Sequence, residues 1–239
     1  MEKPFRDLEF SEKKEYVQKK IRGNLDWIST LSKKVEEGII SKEQGDMMIA
    51  RAMAVKDVRK ERAEDEAKRD ALTGLYNKGT FNKEYEKLVE EKSLFALLIL
   101  DIDNFKNIND SYGYLAGDDV LSQTALNLTT NLRQLRGDDN ENDFIARWGG
   151  DEFAILLKDI HEDSELEIVA NKLVKIMSER AFLIKITGEA QDVPVGISIG
   201  AGVYKGGDKN IFFELVDKQA IKQAKQTGKN KAVIINQLI

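Results

Sequence analysis

The 239-residue chain contains no cysteine, a single histidine and two prolines. Without cysteine there is no disulfide, no thiolate nucleophile and no Cys-based zinc or iron–sulfur site. A lone histidine, His161, excludes a multi-histidine metal centre and reads as a surface-loop residue. So few prolines argue against a long disordered tail. The longest apolar run, Leu94–Leu100, is seven residues, against about 20 for a membrane-spanning helix. The opening MEKPFRDLEF is charged where a secretory leader would be apolar. Positive charge is not in excess either: 37 Lys and Arg face 42 Asp and Glu, a formal charge of −5, which gives no support to a nucleic-acid binder. These absences lead to the expectation of a cytoplasmic protein with no membrane span and no nucleic-acid partner.

What charge there is, the chain spreads unevenly. Residues 1–68 hold 16 Lys and Arg and 15 Asp and Glu, whereas 69–239 hold 21 and 27. The drop in density places a boundary near Lys68, between a helical segment over 1–68 and a second domain over 69–239. In the first, Val17, Ile21, Ile28, Leu31 and Val35 form an amphipathic stripe. Gly38 marks a turn, and Ser41 with Gln44 three residues on reads as a capping box opening a second helix. Met47, Met48, Ala50, Met53, Ala54 and Val58 are expected on its apolar side, and the helix to run on to Lys68. The arrangement is a helical hairpin, regulatory or dimerising.

From Asp70 strands and helices alternate. Ser93–Leu100 reads as a buried strand. Residues 116–135 read as a helix with Val120, Leu121, Ala125, Leu126, Leu128 and Leu132 inward. Phe144–Trp148 and Phe153–Leu157 flank Gly149-Gly150 and read as a hairpin with both glycines at the centre of a primed turn. Ser164–Arg180 is expected as a helix with a capping box of Ser164 and Glu167, Val195–Val203 as a strand, Phe212–Thr227 as a helix stopped by Gly228, and Ala232–Ile235 as a last strand. The class is α+β, one sheet covered by helices.

The chemistry gathers at two places. The buried strand ends in Asp101-Ile102-Asp103, and the glycine turn runs directly into Asp151-Glu152. If these strands are neighbours, the carboxylates converge, and such a cluster repels itself unless a divalent cation neutralises it. Solvated turn acids are the alternative on these features alone.

Arg147-Trp148-Gly149-Gly150-Asp151-Glu152-Phe153 resembles the signature of the GGDEF-domain family, the diguanylate cyclases. The stretches Asp70 to Asn77 and Asp101 to Asp110, Gly117-Asp118, Ile197-Ser198-Ile199-Gly200 and Ala224 to Asn230 resemble its other blocks, in order, over about 70–239. The resemblance implies a polymerase-palm-like domain with an antiparallel-rich central sheet flanked by helices, following the N-terminal helical hairpin. It implies Asp101, the Ile102 carbonyl and Asp151 as ligands of Mg²⁺, or of Mn²⁺ in its place. Glu152 would support the metal site or orient the nucleophile. Asn109 and Asp118 would read the guanine edge, within a substrate site that includes Phe105 and Tyr114. Lys106, Lys225 and Lys229 would hold phosphates. Asp103 would be structural.

The implied reaction is condensation of two GTP into cyclic di-GMP with release of two pyrophosphates, across a homodimer. The resemblance leaves two other readings open: a relaxed-specificity cyclic GMP-AMP cyclase, against which Asp118 counts, and a catalytically weak or inactive GTP-binding module signalling through its helices, where an unknown regulatory partner would act. Asn140-Glu141-Asn142-Asp143 stands where the family carries an inhibitory Arg-x-x-Asp, so the arginine is missing. Lys229 replaces a common Arg, Tyr114 a common His, and Gly79 and Lys222 a common Arg and Tyr.

Overall fold

The computed structural model describes residues 26–136, 143–186 and 189–236. Val17, Ile21 and Asn140 lie outside them. The chain divides into two compact units, Met1–Ala67 and Lys68–Ile239.

In the first unit, α1 (Asp26–Glu36) and α2 (Lys42–Glu66) form a hairpin. The chain turns at Gly38 with φ +70°, which a side chain would resist, and the Ile39 amide closes back on the Lys34 carbonyl at 2.9 Å. The capping box forms: the Gln44 amide donates to Ser41 Oγ at 3.1 Å and the Ser41 amide to Gln44 Oε1 at 2.9 Å. The expected apolar side of α2 is corrected. Gly45 and Ile49 are its buried positions, while Met47, Met48 and Val58 are exposed. Apolar residues lie almost all round this helix from Met47 to Val58, so their spacing defines no phase.

The second unit is built on a six-stranded sheet. Its order is β1 (Tyr76–Asn77), β3 (Phe144–Gly149), β4 (Glu152–Lys158), β2 (Phe95–Ile102), β7 (Ile197–Tyr204), β8 (Ala232–Ile235). The three inner pairings are antiparallel and the two outer ones parallel. The expected α+β architecture is therefore present. All eight residues of β2 are buried, because helices cover both faces. On one face Ala96, Leu98 and Leu100 join a core with α5 (Tyr114–Arg136) and α6 (Asp163–Glu179). On the other, Phe95, Leu97 and Ile99 join Phe81 and Tyr85 of α3 (Lys78–Glu90) and Phe212 of α7 (Lys209–Glu214). Between β2 and α5 lies α4 (Phe105–Tyr112).

Several local expectations change. Leu126 of α5 is 65% exposed, whereas Val120, Leu121, Ala125, Leu128 and Leu132 face the core. Helix α6 starts at Asp163, its first bond running from the Leu166 amide to the Glu162 carbonyl, so Ser164 lies inside the first turn and forms no cap. A second sheet of β5 (Ala181–Ile186) and β6 (Glu189–Pro194) has no counterpart in the sequence reading. The Gln123 side chain on α5 takes both backbone groups of Leu183, donating to its carbonyl at 2.6 Å and accepting from its amide at 3.0 Å.

The expected helix over Phe212–Thr227 is three segments: α7, a π-helical turn Leu215–Ala220, and α8 (Ile221–Gln226). The Ile221 amide reaches back five residues to the Val216 carbonyl. This widened turn lies on Gly200 of β7. A Cβ there would stand 2.5 Å from Val216 O, 2.8 Å from Ile221 N and 2.9 Å from Ala220 Cβ. The missing side chain is what lets helix backbone approach the sheet. Gly200→Ala is accordingly expected to destabilise the fold by about 1–3 kcal/mol. Gly79→Ala, whose nearest new neighbour would be at 3.4 Å, should be neutral or stabilising. Denaturant unfolding of the two variants checks the contrast.

Candidate active site

The site begins where β2 leaves the core. Asp101, its penultimate residue, pairs in register with Glu152 of β4 on one side and Ser198 of β7 on the other. Directly opposed residues in an antiparallel ladder share a face, so Asp101 and Glu152 project together on the α3–α7 side. The turn before Glu152 is centred one residue later than expected. Gly149 is already paired with Glu152, leaving Gly150 and Asp151 at its centre, and of these two only Gly150 has positive φ, +56°. Asp151 therefore sits at the apex itself.

Two contacts fix this turn. The Ile102 amide donates to the Asp151 carbonyl at 3.2 Å. Arg147 donates from Nε and Nη2 to the Gly150 carbonyl at 3.1 and 2.8 Å, and from Nη1 to both oxygens of Asp70 at 3.2 and 3.3 Å. Burial alone would raise the Asp70 carboxyl, but the Thr73 hydroxyl and amide, with Arg147, hold it below the usual carboxylate range. Arg147 and Asp70 were legible as motif letters; their role as a clamp was not, because residues 77 apart meet only through the sheet.

Electrostatics mark the cluster as strained. Burial, joined by the charges of Asp151 and Asp103, lifts the Asp101 carboxyl above its ordinary range against the opposing effect of Lys225. Burial, then Asp217, Asp101 and Asp151, lift Glu152. Asp217 comes from the π turn and had no sequence signal. Asp103 turns inward: its Oδ1 accepts from Ser198 Oγ at 2.7 Å and its Oδ2 from the Asn230 amide at 2.8 Å.

Hard oxygen donors that repel one another suit a divalent cation. Among the described residues no three acidic or histidine side chains are gathered as a closed metal set. Two carboxylates and a carbonyl fit a cation of the Mg²⁺ type, which keeps waters and takes its remaining ligands from phosphates.

Beside the acids, α4 and α5 meet at Gly113, φ +86°. Asn109 Oδ1 and the Phe105 ring occupy the space above Gly117, where a Cβ would stand 2.0 Å from Asn109 Oδ1 and 3.2 Å from Phe105 Cζ. Asp118 is exposed on the next residue. Tyr114 and Leu115, the first two residues of α5, are 82% and 80% exposed, and Leu115 carries no sequence signal that would have marked it. Lys106 is exposed on α4. Lys225 Nζ lies 2.5 Å from Asp101 Oδ2, and Lys229 Nζ donates to Asn104 Oδ1 at 2.7 Å. The structure thus brings Asn109, Phe105 and Gly117 together, and joins Lys225 and Lys229 to the end of β2. His161 is exposed.

This fold defines a palm-like α+β domain with an acidic cluster at the end of its central strand. A family model described as diguanylate cyclase, GGDEF domain, matches residues 67–231, and the chain belongs to that family. It is 35% identical over 176 residues to the probable diguanylate cyclase DgcT of Escherichia coli, covering 70% of this chain and 36% of DgcT. It resembles the coiled coil and GGDEF domain of DgcB from Caulobacter crescentus, solved in complex with c-di-GMP, with TM-score 0.66 and 25% identity over 80% of this chain and 98% of that one. Diguanylate cyclase SiaD of Pseudomonas aeruginosa, solved with its activator SiaC, matches with TM-score 0.61 and 25% identity over 88% of this chain and 78% of SiaD. The chain spans less than half of the curated relatives first matched, 28%, 44% and 35% of their lengths. Among the described residues no helix is long and apolar enough to cross a membrane.

Asp143, the aspartate left from the inhibitory pattern, is held by Arg136, whose Nε donates to its Oδ2 at 2.8 Å; the two side chains are 7% and 9% exposed. Burial pushes the Asp143 carboxyl up to about 6 in spite of that arginine. A carboxyl raised in the folded state contributes its full stability below its unfolded value, near 4, and loses it as pH rises through about 6. Thermal unfolding of wild type and Asp143→Asn from pH 4 to 8 should therefore show wild type losing ground up to about pH 6.5, then a constant difference.

Proposed function

We propose that this chain is a diguanylate cyclase that condenses two GTP into cyclic di-GMP and two pyrophosphates, each of two facing protomers holding one GTP. The observation that carries the reading is the in-register pairing of Asp101 with Glu152, next to the Asp151 turn that the Ile102 amide holds, on the strand that leads into α4 with Phe105 and Asn109 over Gly117. Asp101, the Ile102 carbonyl and Asp151 would hold Mg²⁺ or Mn²⁺, which when bound supplies positive charge against the phosphoryl oxygens and acidifies a nearby hydroxyl.

The remaining roles belong to side chains. The Asn109 amide and the Asp118 carboxylate match the acceptor and donor edge of guanine, and an aspartate accepts from N–H groups that adenine lacks. Phe105, with Tyr114 and Leu115 at the mouth, gives the base apolar contact. Lys106, Lys225 and Lys229 carry the charge that phosphates need. Glu152, more basic than an ordinary glutamate, is suited to accept the hydrogen bond of a 3′-hydroxyl and so orient it. The clamp of Arg147 on Gly150 and Asp70 holds the apex still through turnover. Two protomers are needed because each supplies only one of the two nucleotides the product joins. The helical hairpin of the first unit is a natural point for regulatory input, as a protein activator is seen with SiaD.

Feedback through the region before the signature is not expected. Asp143 is buried against Arg136, so micromolar cyclic di-GMP should leave the rate unchanged. Incubation with GTP and Mg²⁺ followed by nucleotide separation tests the main reading. Cyclic di-GMP supports it, a mixed product from GTP plus ATP points to relaxed specificity, and GTP bound without conversion points to an inactive module. Asp151→Asn should abolish turnover with little change in melting temperature; product at the wild-type rate would refute the site. Gly117→Ala, by driving a methyl into Asn109, is expected to weaken GTP binding at least tenfold, read by calorimetry.

A further inference from the structure

Lys225 is in an unexpected place for a phosphate-binding residue. Its ammonium touches Asp101 Oδ2 at 2.5 Å, on a carboxylate whose side chain is 9% exposed. Among the described residues it is the one cation within ion-pair distance of Asp101, Asp151 or Glu152. Ala224 and Ile221, one and four residues before Lys225, are buried, and the Ile221 backbone is pressed onto Gly200, so the helix holds the base of the side chain in place. The side chain as a whole, by contrast, is 37% exposed, with its ammonium on a flexible four-carbon stem. Lys229 is likewise engaged within the protein, on Asn104.

The oxygen that Lys225 occupies belongs to the carboxylate that would ligate the metal. An ammonium and a divalent cation held on one carboxylate repel each other strongly at contact distance. We infer that Lys225 is a resident counter-ion: it neutralises the acidic cluster while no metal is bound, and leaves Asp101 for the nucleotide phosphates when metal and nucleotide arrive together. This inference rests on the metal-site reading given above. Its consequence is a coupling between the two ligands. Metal alone must displace the lysine with nothing to receive it, so metal alone binds weakly. A triphosphate gives the displaced ammonium a new partner, so each ligand tightens the other by the same factor.

A lysine that only propped Asp101 in position would behave in the opposite way, since its loss would weaken metal binding. The test uses the full chain, with Mn²⁺ alone as the probe and free Mn²⁺ followed by electron paramagnetic resonance. Lys225→Met keeps the stem and removes the charge, and is expected to bind Mn²⁺ about tenfold tighter than wild type. Lys225→Arg should stay as weak as wild type. GTP should tighten Mn²⁺ binding several times more in wild type than in Lys225→Met. Lys225→Gln repeats the measurement with a polar neutral side chain, guarding against a local collapse around the methionine. Mn²⁺ bound equally or more weakly by the neutral variants overturns the inference while leaving the cyclase reading to its product assay. If Asp101→Asn fails to remove the gain in the Lys225→Met background, the ion lies elsewhere and the metal-site reading falls as well.

Discussion

A negative charge at the end of a completely buried strand is the constraint around which this domain is arranged. β2 is covered on both faces and paired on both edges, so Asp101 cannot find water simply by leaning aside. Its cost is met locally, by a lysine reaching over from α8, and that reach depends in turn on how closely the helix lies on the sheet. The widened turn at Leu215–Ala220 and the bare Cα of Gly200 are two halves of one device. Asp103, two residues further on, solves the same problem differently, by making both of its oxygens structural.

The second constraint is precision at the Asp151 apex. A turn with glycines at 149 and 150 has little stiffness of its own, because glycine resists few conformations. Stiffness is imported. Arg147 reaches across its own hairpin to the Gly150 carbonyl and outward to Asp70, and the end of β2 accepts no slack because the Ile102 amide is tied to the Asp151 carbonyl. Flexible backbone therefore permits the shape, and charged side chains from distant sequence hold it.

Much of this was legible from the sequence, and what was not has physical reasons. β2 could be read because a strand buried on both faces is an unbroken apolar run, a pattern few other structures produce. The hairpin at Gly149-Gly150 could be read from its glycines, but not its register, since moving the centre by one residue changes no composition. The α2 helix was placed correctly by Ser41, Gly38 and Gln44, yet its inward face was misjudged because methionine, alanine and valine surround it. Leu126 failed for a related reason: a helix of this hydrophobicity always carries a leucine or two outside its stripe. The small sheet of β5 and β6 escaped because β6, Glu189–Pro194, is mostly polar and exposed and so gives no pattern that would mark it as a partner for the short apolar run of β5. The candidate site residues on short motifs were nameable at once. Asp217 and the clamp on Asp70 were not, because they are defined by what folding brings near.

The small two-stranded sheet has a consequence for how the molecule behaves in a crowd. A free strand edge is a row of unmet donors and acceptors, and it invites any other extended chain to extend the sheet. At Leu183 that invitation is withdrawn: the primary amide of Gln123 imitates a neighbouring peptide group, giving one acceptor and one donor at the spacing a further strand would offer. A single side chain thus impersonates a missing strand. The exposed leucine beside it keeps its apolar surface, but a passing chain finds no ladder there to zip onto, and adventitious fibre-like growth from this edge is interrupted at its midpoint.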